Sequence, residues 1–332
     1  MIEVRQLTKY YGEHAAIRDL NFDIDRGEVI GFLGLNGAGK TTTLKILGCL
    51  LLPTSGRVVV GGVDVIANPH EMRRKIGFLP DLPPLYGEMT VESYLSFAAR
   101  LRGVAAKDAA ARVREAEEKT GLVDVHRELI SSLSHGYRQR IGLAQAMVHK
   151  PSLLILDEPT GGLDPVQIVE MRNLIRQLRG EHTLLISSHF LAEISQTCDR
   201  LLVIQAGEIV AQGTEQQLAA NLGAGSGHEI EVTVKGNAAR AQETARGVMG
   251  VTGVEVLRED SGEVALRVKA TTDVRAQLAR SLVLAGLDLL RFDRAASRLE
   301  SVFIQLARSE AQEAAAEQAA AGVQPNPERR PS

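Results

Sequence analysis

The order of apolar and polar positions predicts alternating strands and helices over about the first 220 residues. Short apolar runs that suit buried strands occur at 28–33, 153–156 and 183–187. The run at 153–156 is Leu-Leu-Ile-Leu, which is typical of a strand covered on both faces of a parallel sheet. Stretches rich in Ala, Glu, Arg and Leu recur with helical spacing at 90–130 and 165–179. The pattern therefore predicts a mixed α/β fold.

Shorter patterns complete the first 220 residues. The apolar positions of residues 1–33 predict short strands, with turns at 11–13 and 25–27. Residues 44–52 predict a helix that ends only at Pro53. Further strands are predicted at 57–62, 76–79, 201–204 and 208–211, the last two as a hairpin-like pair.

The remainder of the chain predicts a second, smaller domain and a tail. The segment 223–227 is rich in glycine, which is typical of a linker. Beyond it, residues 228–308 alternate on a small scale and predict a small C-terminal α+β domain with strands at 229–234 and 263–268. Residues 309–332 are rich in Ala, Glu and Gln and then in Pro, so we expect a largely disordered tail. The first domain is expected to span 1–222.

Composition excludes some classes of function. The chain has 332 residues and a formal net charge of −3, without the basic surplus of a nucleic-acid-binding protein. Its two cysteines, Cys49 and Cys198, lack metal-ligand spacing and are expected in the core of a protein from a reducing compartment. The sequence contains neither a run of about eighteen apolar residues nor a signal peptide. We therefore expect a cytoplasmic protein whose membrane role, if it has one, depends on a partner.

A glycine-rich loop follows the first buried strand. Residues 34–41 have the pattern G-x-x-x-x-G-K-T, between an apolar strand and a helical stretch. Such glycines let backbone N–H groups surround a polyphosphate, and the following helix adds its positive N-terminal end. Lys40 would reach the β- and γ-phosphates, and Thr41 would hold Mg²⁺. The predicted nucleotide-binding residues of this loop are Asn36, Gly37, Ala38, Gly39, Lys40, Thr41 and Thr42.

Two acidic residues follow the apolar run at 153–156. The carboxyl end of a buried strand is the position at which an α/β sheet presents groups to ligands. Asp157 is suited to hold Mg²⁺ through its water shell, and Glu158 to polarise an attacking water. An acidic turn without function is the alternative, which the glycine-rich loop makes less favourable.

Residues 133–140 are Leu-Ser-His-Gly-Tyr-Arg-Gln-Arg, which resembles the signature L-S-G-G-Q-x-Q-R of the nucleotide-binding subunits of ABC transporters. The match departs from that signature at His135 and Tyr137. In the family, the signature serine and glycine, here Ser134 and Gly136, bind the γ-phosphate held by the opposite subunit. The resemblance implies a P-loop NTPase cassette with a helical subdomain at about 82–145, a homodimer, and the cofactors ATP and Mg²⁺.

Other positions of the family can be assigned through this resemblance. Tyr11 corresponds to the aromatic residue that stacks on adenine, and His189 to the switch histidine that contacts the γ-phosphate. Asp164 ends the D-loop, residues 162–164, which couples the two sites of the dimer. Asp81 occupies the position of the Q-loop glutamine, which contacts Mg²⁺ and the membrane subunit. A carboxylate accepts but does not donate hydrogen bonds, so Asp81 can meet a metal-bound water while its coupling role stays open.

The ending of the chain bears on the subfamily. The C-terminal part of the chain, which ends in residues 294–303, resembles the accessory region of ABC-2 exporter ATPases of the drug and polysaccharide type. The signature, together with Asp81, resembles the gliding-motility and copper-maturation branch. The resemblance implies an ATP hydrolase that energises a separately encoded integral membrane permease at the inner face of the membrane, without nucleic acid. One alternative is a soluble ABC-type ATPase that acts on ribosomes or DNA, usually with two cassettes or long coiled coils. Another alternative is a P-loop kinase, which would not need the signature-like residues 133–140.

Overall fold

The computed structural model describes residues 1–221, 228–260 and 262–294. The chain divides into two compact units, Met1–Glu215 and Gln216–Ser332. The expected linker at 223–227, most of the accessory region at 294–303 and the expected tail at 309–332 lie outside the described residues.

The first unit contains ten strands and seven helices among its described residues. The strands are β1 (Ile2–Tyr11), β2 (His14–Ile24), β3 (Val29–Leu33), β4 (Ser55–Val60), β5 (Val63–Asp64), β6 (Ile76–Leu79), β7 (Leu153–Leu156), β8 (Thr183–Ser188), β9 (Arg200–Gln205) and β10 (Glu208–Gly213). The helices are α1 (Lys40–Leu47), α2 (Pro69–Lys75), α3 (Val91–Leu101), α4 (Ala106–Thr120), α5 (His135–Met147), α6 (Pro165–Gln177) and α7 (Leu191–Ile194). A further helix, α8 (Glu215–Asn221), begins where the unit ends.

A six-stranded sheet forms the centre of the first unit. Its strand order is β10-β9-β3-β8-β7-β6, and the strands from β9 to β6 run parallel, while β10 pairs antiparallel to β9. All residues of β3, β6, β7 and β8 are buried, which is why these strands are dominated by apolar residues in the sequence. The carboxyl ends of β3, β8, β7 and β6 consequently lie along one edge of the sheet. The predicted α/β fold is confirmed.

A second sheet and a group of helices cover this centre. The second sheet has the order β2-β1-β4-β5 and is antiparallel. Its apolar side chains share a core with β3 and α1, where the rings of Phe22 and Phe32 meet edge to face at 5.5 Å between centroids. Cys49 belongs to the same core. Helices α3, α4 and α5 form a separate apolar cluster that includes Leu95, Val113 and Ile141.

The predicted helix over residues 44–52 is wrong at its C-terminal end. Helix α1 ends at Leu47, and the amide N–H of Gly48 donates to Leu44 O at 2.8 Å. Cys49 has φ of +57°, and the N–H of Leu50 turns back to Lys45 O at 2.8 Å. The chain therefore leaves the helix five residues before Pro53, because a left-handed residue ends an α-helix wherever it occurs.

The second unit is a smaller α+β structure. Its elements are β11 (His228–Lys235), α9 (Ala238–Arg246), β12 (Val251–Asp260), β13 (Glu263–Ala270), α10 (Arg275–Leu284) and β14 (Asp288–Arg294). The sheet is antiparallel with the order β12-β13-β11-β14, which is the ferredoxin-like βαββαβ arrangement. Alternate residues of β11 and β13 pack against Ala241, Leu278 and Leu282 of the two helices. Of the helices in the described part of the chain, none has the length and apolar character needed to cross a membrane.

Candidate nucleotide-binding site

The loop at residues 34–39 is shaped by close backbone approaches. A Cβ at Gly34 would lie 2.5 Å from Ile204 O, and a Cβ at Gly39 would lie 2.7 Å from Ala16 O. Gly39 also has φ of +104°, a conformation that side chains other than hydrogen disfavour. Only glycine fits at these two positions. The turn between β9 and β10 supports the loop, because the N–H of Gly207 donates to Ala38 O at 3.1 Å.

Among the described residues, the N-terminal end of α1 has no side-chain cap and no acidic residue of its own in the first turn. Thr43 is satisfied within the helix, through its N–H and its hydroxyl, which both donate to Gly39 O. Unpaired N–H groups at a helix N-terminus attract anions, so the turn is suited to bind a phosphate.

Lys40, the first residue of α1, is buried with only 5% of its surface exposed. Its ammonium donates to Gly34 O at 2.7 Å and to Leu35 O at 3.1 Å. Glu158 Oε1 lies 3.5 Å from the same ammonium. The positive charge is therefore held directly inside the loop that would surround the phosphates.

Asp157 is the most enclosed acid of the site, with 1% of its surface exposed. Its Oδ1 atom accepts hydrogen bonds from Ser187 Oγ at 2.7 Å and from Thr41 Oγ1 at 3.3 Å. Burial raises the pKa of the Asp157 carboxyl, the two hydroxyls lower it, and the charges of Glu158 and Asp81 raise it further. The carboxyl end of β7 is thereby joined to β8 and to α1.

Glu158 lies between two cationic or potentially cationic groups. Its Oε2 atom is 2.9 Å from His189 Nδ1, and its Oε1 atom faces Lys40. The backbone has φ of +48°, an uncommon conformation for a glutamate, and the Glu158 N–H donates to Ser187 Oγ at 2.9 Å. Strained residues of this kind cluster at functional sites. Strand order explains the pairing, because Glu158 follows β7 and His189 follows the neighbouring β8.

The oxygen atoms around Asp157 are suitable ligands for Mg²⁺. Mg²⁺ prefers oxygen ligands and usually keeps several waters, bound through one or two carboxylates and substrate phosphates. Thr41 Oγ1 and Asp157 Oδ1 offer two such oxygens 3.3 Å apart, and the buried carboxylate lacks a direct cation partner among the described residues. Nowhere in the described ranges do three acidic, histidine or cysteine side chains form a complete metal cage. A metal here would therefore depend on the nucleotide for part of its ligands.

The signature residues stand at the start of α5. Ser134 caps this helix, and its Oγ accepts the N–H of Tyr137 at 3.4 Å. A Cβ at Gly136 would lie 2.7 Å from Cδ of Gln167 in α6, so a larger residue there would have to displace the Gln167 side chain. Gln139 Nε2 donates to Asp81 O at 3.1 Å, which joins the signature helix to the end of β6.

Two further predicted residues, Asp164 and Tyr11, also lie outside the Lys40–Asp157–Glu158 network. Asp164 caps α6, and its Oδ1 accepts the N–H groups of Val166 at 3.0 Å and Gln167 at 2.9 Å. Tyr11 ends β1 with half of its surface exposed, and Lys9 Nζ lies 5.3 Å from the ring centroid. An exposed ring of this kind is available for stacking on a base.

Sequence reasoning missed Ser187 as a functional residue. Its hydroxyl donates to Asp157 and accepts the Glu158 N–H, so one side chain fixes both acids. The available signal was a pair of serines that ends an otherwise apolar strand just before His189. Polar residues at that strand end lie beside the acids only when β7 and β8 are neighbours, and the sequence does not state this.

Replacing Asp157 by Asn is expected to stabilise the nucleotide-free protein at pH 7. Asn keeps an oxygen for Ser187 and Thr41 but removes a buried charge. Because the folded-state pKa of Asp157 is raised, its carboxyl destabilises the fold above that pKa, and the effect vanishes as pH falls below the ordinary value of 3.8. Urea unfolding without Mg²⁺ measures the free energy of unfolding of the variant and of the wild type. The difference between the two should become smaller from pH 7 to pH 4. A variant less stable than the wild type at pH 7 contradicts the assignment.

Lys40→Ala should weaken ATP binding by about ten- to a hundredfold, which is the value of a charge-assisted contact of roughly 1.5–3 kcal/mol. Lys45→Ala is the matched control, because Lys45 is an exposed residue of the same helix. Titration with a fluorescent ATP analogue measures both. Equal affinity for the Lys40 variant and the wild type would remove Lys40 from the phosphate site.

Comparison with known proteins supplies the family. Residues 17–161 match the family model described as ABC transporter. The bacitracin transport ATP-binding protein BcrA of Bacillus licheniformis is 41% identical over 214 residues, which cover 64% of this chain and 69% of that protein. The daunorubicin resistance ATP-binding protein DrrA3 of Streptomyces coeruleorubidus is 35% identical over 309 residues, which cover 92% of this chain and 95% of that protein.

Solved structures agree with these relatives. An ATP-binding subunit of an ABC transporter is 30% identical, with a TM-score of 0.62 over 67% of this chain and 93% of that one. The dimeric cassette MJ0796 is 26% identical, with a TM-score of 0.60 over 64% of this chain and 98% of that one. The P-loop cassette fold expected from the sequence is confirmed. The chain belongs to the ATP-binding proteins of ABC transporters, and it is an ATP hydrolase of that family.

Proposed function

We propose that this chain is the ATPase subunit of an ABC-2-type exporter, which dimerises around two ATP molecules and drives a separately encoded integral membrane permease. The observation that carries the chemistry is the position of Glu158, between Lys40 and His189 at the edge of the central sheet. The exporter class is supported by DrrA3, a resistance protein whose similarity extends through the second unit.

Nucleotide binding begins in the loop at 34–39. The backbone N–H groups there and at the start of α1 bind the phosphates, and the Lys40 ammonium adds the positive charge. Thr41 and Asp157 would hold Mg²⁺, which neutralises charge on the β- and γ-phosphates. The half-exposed ring of Tyr11 stacks on the adenine.

Hydrolysis depends on Glu158. Its carboxylate orients the attacking water and accepts its proton as the general base. His189 holds Oε2 of this carboxylate by a 2.9 Å contact and contacts the γ-phosphate as the family's switch histidine does. The low exposure of Glu158, together with the fixed N–H bond to Ser187, limits the orientations that the carboxylate can adopt. A carboxylate positioned before the reaction saves the free energy of reorienting it in the transition state.

Dimerisation completes each site. Ser134 is exposed at the N-terminus of α5, and the signature residues from one subunit would bind the γ-phosphate held by the other. Asp164 and the D-loop would connect the two sites. The similarity to the dimeric MJ0796 cassette supports this arrangement.

The surface beyond Asp81 is the proposed docking surface for the permease. Leu82 is 76% exposed and Leu101 is 73% exposed, so both offer apolar surface to a partner. The half-exposed ring of Tyr86 packs edge to face with those of Tyr94 and Phe97, each at 6.0 Å between centroids. Docking there would place the chain at the inner face of the membrane and transmit closure of the dimer through residues 81–101. The names of BcrA and DrrA3 favour an antibiotic-like cargo.

Glu158→Gln is expected to trap an ATP-bound homodimer. Hydrolysis should slow by about two to four decades, the usual contribution of a positioned general base. ATP stays bound because Lys40 and Thr41 are unchanged, and the lost charge removes repulsion toward the γ-phosphate. Size-exclusion chromatography with ATP and Mg²⁺ should show a dimer that is absent with ADP, while Glu71→Gln, an exposed control on α2, behaves as the wild type.

Two results would count against this mechanism. A Glu158→Gln variant that binds ATP yet stays monomeric would show that the isolated subunit does not form the sandwich dimer. A variant that hydrolyses ATP at nearly the wild-type rate would show that another group activates the water.

A further inference from the structure

Two residues at which the chain departs from the family pattern reach the same peptide. His135 replaces the first glycine of the signature, and its Nε2 atom lies 3.0 Å from Gly161 O. Asp81 replaces the Q-loop glutamine and approaches Gly161 without a hydrogen bond: a Cβ built on Gly161 would lie 3.0 Å from its Oδ1 atom, so its effect there is steric. Both departures therefore converge on the loop that connects Glu158 to the D-loop.

Gly161 is well placed to transmit a constraint. Its N–H donates to Glu158 O at 2.9 Å, so the peptide is bonded to the proposed catalytic residue. The next residue, Gly162, has φ of +69°, and a Cβ there would lie 3.0 Å from His135 Nε2. The imidazole thus occupies the space next to Gly162, and the path of the loop depends on the ring.

The hydrogen bond between His135 Nε2 and Gly161 O requires a side chain, which the glycine of the family signature lacks. An imidazole donates through Nε2–H in one neutral tautomer and in the protonated form, and the acceptor here is a backbone carbonyl. Asp81 is fixed relative to the same helix, because the fully buried Gln139 donates to Asp81 O. One helix, α5, therefore carries Ser134 and His135 and also anchors Asp81.

We propose that His135 and Asp81 are positioning residues that form a D-loop clamp on Gly161. The clamp holds the D-loop, residues 162–164, and Glu158 at a fixed place relative to Ser134 of the same subunit. Because the D-loop reaches across the dimer, this inference rests on the proposed function. A clamp of this kind acts on turnover in the closed dimer and leaves the ATP affinity of Lys40 and Thr41 unchanged.

The test compares two substitutions of His135 in the full chain. His135→Leu keeps the bulk but removes the donor, and kcat should fall by about two- to tenfold, as expected for one lost hydrogen bond. The Kd for a fluorescent ATP analogue and the melting temperature should stay at wild-type values. His135→Gln restores an amide donor of similar reach and should recover kcat to within about twofold of the wild type. His70→Leu, at an exposed histidine of α2, is the matched control.

A double-mutant cycle tests whether the two residues act together. Asp81→Ala removes the side-chain oxygens that lie beside Gly161. If both residues constrain Gly161, the variant with both His135→Leu and Asp81→Ala should lose less activity than the product of the single losses. Effects that multiply independently would overturn the clamp, and so would a His135→Leu variant with wild-type kcat or a loss that Gln does not rescue.

Failure of the clamp is distinguishable from failure of the proposed function. If neither the wild type nor the Glu158→Gln variant dimerises with ATP, the sandwich-dimer mechanism is contradicted, and the clamp is contradicted with it. A chain that forms the ATP-dependent dimer while His135→Leu turns over at the wild-type rate contradicts the clamp alone.

Discussion

The hydrogen bonds made by Ser187 hold the candidate site together. The hydroxyl donates to Asp157 Oδ1 and accepts the backbone N–H of Glu158, while the same Oδ1 atom accepts from Thr41. One hydroxyl and one carboxylate thus connect β7, β8 and the phosphate-binding helix α1. The proposed metal ligand, the proposed general base and the phosphate loop keep fixed relative positions because these few bonds, which measure 2.7–3.3 Å, are buried or partly buried.

This arrangement lowers the stability of the nucleotide-free fold. Burial of Asp157 raises its pKa, and Glu158 adopts a left-handed backbone conformation. Neither feature favours the nucleotide-free fold, but a divalent cation bound together with the nucleotide would compensate the buried negative charge. The parallel order of β3, β8 and β7 brings the groups to one edge, although Thr41 and Asp157 are separated by 116 positions in the chain.

The sequence predicted what local patterns encode. The apolar runs predicted the buried strands, and the glycine-rich loop with the Asp157–Glu158 pair indicated a nucleotide site; the individual residue roles stay predictions. The early end of α1 was missed because a left-handed Cys49 is not signalled by its residue type. The dual role of Ser187 and the contact of His135 with Gly161 O were missed because they join distant segments. Register and strand order decide such contacts, and neither is readable from one strand alone.

In the proposed mechanism, each ATP is hydrolysed at a site that combines Lys40 and Glu158 of one subunit with Ser134 of the other. Mixing two inactive variants tests it most directly. Lys40→Ala has an intact signature, and Ser134→Glu, at an exposed position, has an intact phosphate loop. In a mixed dimer the loop of the second variant faces the signature of the first, so one complete site is rebuilt. The mixture should hydrolyse ATP although neither variant does so alone; a mixture as inactive as its components would contradict the shared site.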